Sequence, residues 1–430
     1  MRISFLLSLQ GTYAILWLSY NGRSAETARK ALPPRTYRGV RGGSAFLHCL
    51  QADRWLHCNG SAGEVTVLLQ KRRMTMERTM AEAAAKARWD SIAKPIDSLG
   101  LLERDVIRLA GIFGSANPEN IRLKKRALVV LCADHGVVDE GVTQTGREVT
   151  KAVADNFAAG RSTVNLLARR ANCDVFPVDM GMDTDPYPTE DLTCGAVADF
   201  KVARGTRNLA HESAMTIPEC RRAIENGMSI AHILKERGYS VIATGEMGIG
   251  NTTPTSCLAA IYLHQNPEDM VGRGAGLSEE GLAKKRLVVR DACERATRKQ
   301  LASPVGVLAE VGGFEIAGMC GIFLGCAKER IPVIIDGAIS AVAALVAMQI
   351  DPRVPGCCLA SHLPAERAGS MAISRLDLDP VIDAHLALGE GSGAVMLLPL
   401  LDMALDVYRE MGTFENYSIE AYQRFGNEPR

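Results

Sequence analysis

From about residue 80 onward, short runs of apolar residues are separated by longer segments with helical periodicity. The runs are rich in β-branched residues and do not alternate with polar ones, which is typical of strands buried on both faces of a mostly parallel sheet. The pattern therefore predicts an α/β fold. It places five strands over residues 127–132, 175–178, 240–243, 332–335 and 357–360, the last being the weakest.

The segments between these runs are predicted to be helices. Residues 149–169 place apolar side chains on one side of a single continuous helix, and residues 282–298 are charged on one face. The C-terminal residues 398–425 have helical periodicity with a break at Gly412. We expect this last segment to join residues 78–113 in a small helical domain.

Each predicted strand is followed by polar or glycine residues. In open α/β sheets, ligands bind in the crevice beyond the carboxyl ends of the strands. The strand ends therefore outline one common site. The residues concerned are Asp134-His135, Asp179 to Gly181, Gly245-Glu246, Asp336-Gly337 and Ser361-His362.

The composition is that of an ordinary globular protein, with 430 residues, 47% hydrophobic and 23% charged, and a formal net charge of zero. The main body contains no basic stripe, which argues against a nucleic-acid-binding surface. The twelve cysteines are scattered, without CxxC pairs or Cys/His ligand spacing. We therefore predict reduced thiols, a cytoplasmic location and no metal site.

The first 73 residues differ from the rest of the chain. They contain 11 Lys/Arg and 3 Asp/Glu, a balance of 11 − 3 = +8, and sustain no helical or strand period. The apolar opening is too short and too polar to span a membrane and lacks a convincing signal-peptide cleavage site, although a transit peptide is conceivable. We interpret residues 1–73 as a non-native or disordered extension, with Met74, Met76 or Met80 as the working initiator.

The rest of the chain is predicted to form two domains. Residues 121–397 would form the main α/β domain. Residues 74–120 would supply the N-terminal helices of the small domain, and residues 398–430 the C-terminal helices that complete it.

The most informative motif is Gly245-Glu-Met-Gly-Ile-Gly-Asn-Thr-Thr253, which follows a predicted strand and precedes a helix-like segment. Gly248 and Gly250 permit close backbone approach to a ligand, and Asn251 and Thr252 suit a helix N-cap. Free amides at a helix N-terminus form an anion site. The alternative is a tight turn without a ligand, and the motif is not the GxGxxG dinucleotide fingerprint.

A second glycine cluster, Val271-Gly-Arg-Gly-Ala-Gly276, is followed by Lys285. Flexible backbone around Gly274, with Lys285 as a point charge, suits phosphate oxygens. A loop with solvated lysines is an equally good interpretation when this segment is judged alone.

A third motif, Leu388-Gly-Glu390-Gly-Ser-Gly393, sets one carboxylate between glycines. Partial burial raises the pKa of such a carboxyl towards the range of a general base. Capping of the helix that follows is the alternative role for Glu390.

Three further segments carry less specific chemistry. Asp134-His135 has metal-ligating residue types but no second ligand at suitable spacing, so a hydrogen-bonding pair at the strand end is favoured. Ser361-His362 lacks the GxSxG context of a serine nucleophile. Residues 308–315, which include two carboxylates and a glycine pair, fit either a substrate wall or close helix packing.

In order and spacing, these motifs resemble the nicotinate-nucleotide:dimethylbenzimidazole phosphoribosyltransferases, a family that builds the lower ligand of cobalamin. The resemblance covers roughly residues 84–420, and GEMGIGNTT with LGEGSGA is its most specific pair. It implies a Rossmann-like domain with helices on both faces of the sheet, a small helical domain from both chain ends, and a homodimer. The other matching segments are KPIDSLGLLE, ADHGVVDEGVT, VGRGAGL, LAEVGGFEIAG, PVIIDGAIS, ASH and MGTF.

The resemblance also implies a reaction between two small-molecule substrates without a cofactor. A ring nitrogen of an azole base attacks C1′ of nicotinate mononucleotide, displaces nicotinate and inverts the anomeric centre. The family's catalytic carboxylate corresponds to Glu390, and the glutamate of its glycine-rich loop to Glu246. The implied substrate-binding residues are Thr143, Arg147, Met247, Gly248, Gly250, Asn251, Thr252, Gly274, Gly276, Lys285, Asp336, Gly337, Ser361 and His362.

Two departures from the family pattern affect what the resemblance implies. Thr145-Gly146-Arg147 replaces a Tyr-Pro-Gln-like segment in a loop that touches the acceptor base in the family, so benzimidazoles, purines and phenols stay open as acceptors. Pro364 stands where a Ser often follows the Ser-His pair, which removes one expected polar contact to the nucleotide.

Two other functional classes are less favoured. A non-catalytic sensor of nucleotides or azoles would have no need for Glu390. A nucleotide-binding oxidoreductase with the same kind of sheet would be expected to carry GxGxxG, which this chain lacks.

Overall fold

A computed structural model describes residues 4–9, 12–17, 45–51, 54–60, 62–301 and 303–424. The chain divides into two compact units, Met1–Thr79 and Met80–Arg430. In the first unit, β1 (Ser4–Leu9) pairs antiparallel with β2 (Thr12–Trp17), and β3 (Ala45–Gln51) pairs antiparallel with β4 (Arg54–Gly60). Whether residues 1–73 are a non-native extension stays a prediction, and part of this range lies outside the described residues.

The second unit is built on a six-stranded sheet in which every neighbouring pair is parallel. All five predicted strands are present, so the α/β prediction is confirmed. The sixth strand has only two residues, too few to produce a periodic signal in the sequence. In chain order the strands are β5 (Arg126–Ala133), β6 (Asp174–Gly181), β7 (Ala198–Asp199), β8 (Val241–Met247), β9 (Val333–Ile335) and β10 (Cys358–Ala360), and in space β10-β9-β8-β5-β6-β7.

The central strand explains why the apolar runs do not alternate. Seven of the eight residues of β5 are buried, because helices cover both faces of the sheet and each side chain packs against one of them. The helices are α1 (Ala62–Ser91), α2 (Leu101–Phe113), α3 (Glu148–Ala158), α4 (Thr163–Arg170), α5 (Ile217–Glu236), α6 (Thr252–Leu263), α7 (Glu279–Arg298), α8 (Pro304–Val311), α9 (Phe314–Glu329), α10 (Ala338–Ile350), α11 (Arg367–Arg375) and α12 (Ser392–Glu410).

The prediction of one continuous helix over residues 149–169 is wrong, because the structure has two helices there, α3 and α4. Gly160 adopts a left-handed φ of 71° after the end of α3. Ser162 then starts α4 with a capping box, in which its hydroxyl and the side chain of Asn165 each bond the other's backbone N–H. The apolar periodicity continues across this break, which is why the pattern alone did not reveal it.

The predicted C-terminal helix over residues 398–425 is also wrong in its bounds. Helix α12 begins six residues earlier, at Ser392, and ends at Glu410. Beyond it the chain turns back towards α1, where Thr413 forms an isolated bridge with Ile92 and the amide of Phe414 donates to the carbonyl of Ser91 at 3.0 Å. Residue 425 lies outside the described part of the chain.

The two ends of the second unit are packed together. The rings of Trp89 on α1 and Tyr408 on α12 have centroids 5.0 Å apart, and the Arg88 guanidinium donates to the carbonyl of Tyr408 at 2.9 Å. Both aromatic rings are fully buried. This contact fits the expected helical grouping of the two chain ends, although the domain boundaries themselves stay predictions. None of the helices in the described ranges is long and apolar enough to cross a membrane.

Candidate active site

The glycine-rich turn after β8 and the loop before α12 touch each other at the carboxyl edge of the sheet. A Cβ at Gly245 would lie 2.5 Å from the carbonyl oxygen of Glu390, and a Cβ at Gly389 would lie 2.6 Å from Oε1 of Glu246. Gly245 requires glycine because a side chain there would push the two segments apart, and Gly389 favours glycine because its φ is 79°. The backbone contact brings Glu246 and Glu390 into one site.

Glu390 is held in an uncommon conformation. Its φ is 62°, in the left-handed region that a non-glycine residue seldom adopts. The side chain is half-buried, and within the described residues its Oε2 has no hydrogen-bond partner. Burial raises the pKa of Glu390, and the backbone N–H of Val164 on α4 partly offsets this rise. A carboxyl with these properties suits proton transfer.

The alternative role of Glu390 as the cap of the following helix is not realised. Gly391 occupies the N-cap position of α12, and no side chain caps that helix from there. Backbone groups of α12 are instead bound by Asp336, which follows β9. Oδ2 of Asp336 accepts from the N–H of Gly391 at 3.1 Å, and its Oδ1 accepts from Ala394 at 3.0 Å.

Asp336 therefore holds the loop that carries Glu390 onto the end of the sheet. Its side chain is buried, and burial raises the pKa of Asp336 to about 7 although the N–H groups of α12 lower it. Both carboxyl oxygens are occupied by backbone donors. These contacts give Asp336 a role in holding the loop, and its expected contact with substrate stays a prediction.

Glu246, at the end of β8, has a distinct environment. The side-chain amide of Asn251 donates a hydrogen bond to its Oε2. Burial raises the pKa of Glu246 to about 8, the Asn251 bond lowers it, and neighbouring carboxyls raise it further. Glu246 is therefore largely protonated near neutral pH and can donate a hydrogen bond through its own O–H. Asn251 stands at the N-cap position of α6, as predicted, but its side chain does not cap the helix.

Lys285 connects the two predicted phosphate-binding segments. Its Nζ donates to Oγ1 of Thr252 at 2.7 Å and to the carbonyl of Gly272 at 3.0 Å. The side chain is 1% exposed, and burial lowers the pKa of Lys285. An ammonium has three N–H donors, so one is left for a ligand after these two contacts.

Backbone donors lie beside this ammonium at the start of α6. Within the part of the chain that the structure describes, the N–H groups of Gly250 and Thr252 make no hydrogen bond. Gly250 has a φ of 95°, which a residue with a side chain rarely adopts. By contrast, the N–H of Gly274 is already engaged, donating to Glu366 at 3.0 Å. The turn after β8 is therefore a better anion cradle than the second glycine cluster.

Ser361 and His362 lie against the same loop from the side of β10. A Cβ at Gly393 would lie 2.0 Å from Nδ1 of His362, so the imidazole packs directly on the backbone of α12. The hydroxyl of Ser361 is 3.1 Å from that same nitrogen and 3.2 Å from the carbonyl of Asp336. Burial lowers the pKa of His362, which keeps the ring neutral at neutral pH. A Cβ at Gly337 would lie 3.7 Å from Cε1 of this ring, so a side chain there would be in van der Waals contact with it.

The loop with Thr143 and Arg147 forms another wall. The Arg147 guanidinium donates to the carbonyl of His135 at 3.3 Å and pairs with Asp139 at 2.6 Å. The Thr143 hydroxyl donates to Thr145 O at 2.9 Å, within its own loop. The Arg147 side chain thus contacts backbone and side-chain groups of residues 135–139. Met247 is partly buried against the core.

Several contacts in the site had no recognisable signal in the sequence. The N–H of Val164 reaches Glu390 only because α3 and α4 are separate helices. Thr150 accepts from the N–H of Ile249 at 3.2 Å, and Gln144 donates to the carbonyl of Gly276. The serine that follows Gly160 was the available clue to the helix break, since Ser162 with Asn165 has capping-box spacing.

Comparisons with known proteins find relatives along most of the chain. A family model described as phosphoribosyltransferase matches residues 75–419. The nicotinate-nucleotide–dimethylbenzimidazole phosphoribosyltransferase of Ruminiclostridium cellulolyticum is 42% identical over 339 residues, covering 79% of this chain and 94% of that protein. The enzyme of the same name from Acetivibrio thermocellus is 41% identical over 336 residues, covering 78% of this chain and 93% of that protein.

A solved structure shows the same similarity in three dimensions. The crystal structure of CobT from Thermus thermophilus superposes with a TM-score of 0.73 at 37% sequence identity. The match covers 79% of this chain and 99% of that chain. Residues 1–74 lie outside the range that the family model matches.

Proposed function

Because this chain belongs to the nicotinate-nucleotide–dimethylbenzimidazole phosphoribosyltransferase family, we propose that it transfers the 5-phosphoribosyl group of nicotinate mononucleotide to 5,6-dimethylbenzimidazole or a related base. The products are nicotinate and the α-ribazole phosphate. The observation that carries the proposal is the Glu390 carboxyl, half-buried and with a free Oε2 among the described residues, beside a turn with unengaged amides.

The chemistry requires one base. Nicotinate leaves from a pyridinium, so the C1′–N bond breaks without protonation of the leaving group. The attacking azole ring nitrogen forms a new bond to C1′, and the proton on the other ring nitrogen must depart. Glu390 accepts that proton, and the raised pKa that burial gives it matches this task. General-base catalysis of this kind contributes about 10²–10⁴-fold.

The rest of the rate acceleration comes from orientation and charge. The phosphate of the mononucleotide is proposed to rest on the N–H groups of Gly250 and Thr252, with the third N–H of Lys285 as a further donor. This anchoring holds C1′ in a fixed position relative to the nitrogen of the leaving nicotinate and the attacking nitrogen of the azole. Negative charge at the carboxyl edge of the sheet stabilises the oxocarbenium-like C1′.

Glu246 is proposed to act beside Glu390 in its protonated form. Its O–H donor, oriented by the bond from Asn251, can hold an oxygen of the ribose or of the departing nicotinate. No metal is needed for this reaction because no pyrophosphate leaves. A homodimer and a cytoplasmic location are part of the proposal on the strength of the family resemblance, and light scattering on the purified protein tests the first of these.

Incubation of the purified protein with nicotinate mononucleotide and a panel of acceptors tests the activity. The panel contains 5,6-dimethylbenzimidazole, benzimidazole, adenine and a phenol, and chromatography with mass spectrometry measures free nicotinate and each ribotide. We expect release of nicotinate in equal amounts with an α-ribotide. Binding of the mononucleotide without turnover on any acceptor would contradict the proposal and favour a sensor.

A further inference from the structure

Two motifs that the proposed reaction does not use are joined in the structure. His135 directly follows the end of β5, and Glu315 lies in the first turn of α9. Nε2 of His135 is 2.8 Å from Oε1 of Glu315, and both side chains are 0% exposed. Burial of a pair of ionisable side chains costs free energy that a hydrophobic pair of similar volume would avoid.

The pair lies directly beneath the glycine-rich turn. A Cβ at Gly248 would lie 3.2 Å from Nε2 of His135, and a Cβ at Gly313 would lie 2.4 Å from its Cε1. The imidazole is therefore clamped between the turn after β8 and the start of α9. Contact with this ring therefore supports the backbone at Gly248, two residues after Glu246.

The hydrogen-bonding pattern favours one charge state of the pair. Among the described residues, Nδ1 of His135 and Oε2 of Glu315 are buried and have no hydrogen-bond partner. A protonated imidazolium would leave an N–H unpaired at Nδ1, whereas a neutral ring with its hydrogen on Nε2 leaves only a lone pair there. The neutral ring donating to an ionised Glu315 costs less. The pair then carries one net negative charge.

We propose that His135 and Glu315 are positioning residues for the transfer reaction, in which His135 orients Glu315 and supports the turn, and Glu315 sets a fixed negative charge behind Glu246. This inference rests on the proposed function. It assigns one joint role to two segments, the GGFE segment at residues 312–315 and the Asp134-His135 pair at the end of β5. Neither side chain is assigned contact with substrate.

Among the described residues, four neighbouring groups shift the pKa of the Glu246 carboxyl. One is the Asn251 amide, which donates to it, and the others are the carboxyls of Glu315, Asp336 and Glu390. Among these three carboxyls, Glu315 makes the largest contribution to the raised pKa of Glu246. Removal of the Glu315 charge therefore lowers that pKa. In the pH profile of kcat, the limb that reports the titration of Glu246 should therefore move to lower pH. This holds whether the protonated or the ionised form of Glu246 is active.

The test is the pH profile of kcat for Glu315→Gln against the wild-type protein, with nicotinate mononucleotide and dimethylbenzimidazole. Glutamine preserves the shape and the hydrogen bond but removes the charge. We expect the limb that disappears in Glu246→Gln to move to lower pH by about one pH unit, the order of shift that one neighbouring like charge produces. KM for the mononucleotide should change little. An unmoved limb overturns the inference.

A further variant, His135→Gln, separates the effect of the Glu315 charge from that of the imidazole contact with the turn. His135→Gln keeps the Glu315 charge but loses the ring beneath the turn, so kcat should fall at least about tenfold while the limb stays within a few tenths of a pH unit. A His135→Gln enzyme with wild-type kcat also overturns the inference, even if Glu315→Gln does not fold.

The matched control is Glu310→Gln. Glu310 is also a buried glutamate, on α8, but it is bound by Arg295 and Lys299 and is not one of the carboxyls that shift the pKa of Glu246. Its replacement should lower thermal stability without moving the limb. If the wild-type protein itself releases no nicotinate, the proposed function fails; if it turns over and only the limb shift is absent, this inference alone fails.

Discussion

Asp336 gives the sharpest structural prediction because both of its carboxyl oxygens accept backbone N–H groups of the segment that carries and follows Glu390. Asp336→Ala removes the acceptor for two buried N–H groups, those of Gly391 and Ala394. Each unsatisfied buried donor costs about 1–3 kcal/mol, so the free energy of unfolding should fall by about 2–6 kcal/mol at a pH where the wild-type carboxyl is protonated. The loop with Glu390 is then no longer fixed, and kcat should fall at least about 100-fold.

The pH dependence of this loss has a definite sign. Burial raises the pKa of Asp336 from 3.8 to about 7, so the folded protein holds a proton that the unfolded chain releases. Its contribution to stability is therefore complete below about pH 4 and is lost as pH rises through 7. The total corresponds to about 4 kcal/mol, of which about 2–3 kcal/mol is lost between pH 5 and pH 8. The alanine variant lacks this titration, so its destabilisation should be larger at pH 5 than at pH 8.

Urea unfolding at pH 5 and pH 8, followed by circular dichroism, measures both quantities on the wild-type, Asp336→Ala and Asp336→Asn proteins. Asparagine retains one acceptor oxygen and should lie between the other two in stability and in kcat. If Asp336→Ala unfolds like the wild-type at both pH values and retains kcat, the anchoring role is refuted. A destabilisation that grows between pH 5 and pH 8 would refute the sign of the titration.

Two further predictions concern the buried side chains of Asp105 and Lys285. Burial raises the pKa of Asp105 on α2 to about 7, and among the described residues its Oδ2 lacks a hydrogen-bond partner. The free energy of unfolding of Asp105→Asn should therefore exceed that of the wild type by about 2 kcal/mol at pH 8, and by less at pH 5. Equal urea midpoints at pH 8 would contradict this. Lys285→Met should raise KM for the mononucleotide about 10–100-fold because it removes a charged hydrogen-bond donor to the phosphate. Lys284→Met, at an exposed neighbouring position, should leave KM unchanged. Equal KM values for the two variants would exclude Lys285 from the phosphate site.

The sheet was predictable because burial on both faces leaves a direct trace in the sequence. All five apolar runs became strands, and the polar residues that follow them do lie along one edge. The order of the strands in the sheet could not be predicted from any local sequence pattern, because it depends on how the helices cross over the sheet. The break between α3 and α4 was missed because the apolar period continues through it, and only the cap at Ser162 marks the new helix.

Parts of the site were predictable as segments but not as contacts. The glycines at 245, 248 and 389 indicated close backbone approach, and the structure shows what approaches each of them. The partners of Asp336 and Asn251 could not be read from the sequence, because both choices depend on segments more than 50 residues away or on the local turn geometry. The pairing of His135 with Glu315 spans 180 residues and likewise has no local signal.

The most direct test of the proposed mechanism is the single-turnover rate of Glu390→Gln, with mononucleotide affinity measured separately by calorimetry. Glutamine fills the same space but cannot accept the azole proton, so the rate of nicotinate release should fall by about 10²–10⁴-fold while affinity stays within about threefold. A variant that releases nicotinate at the wild-type rate would show that Glu390 is not the base.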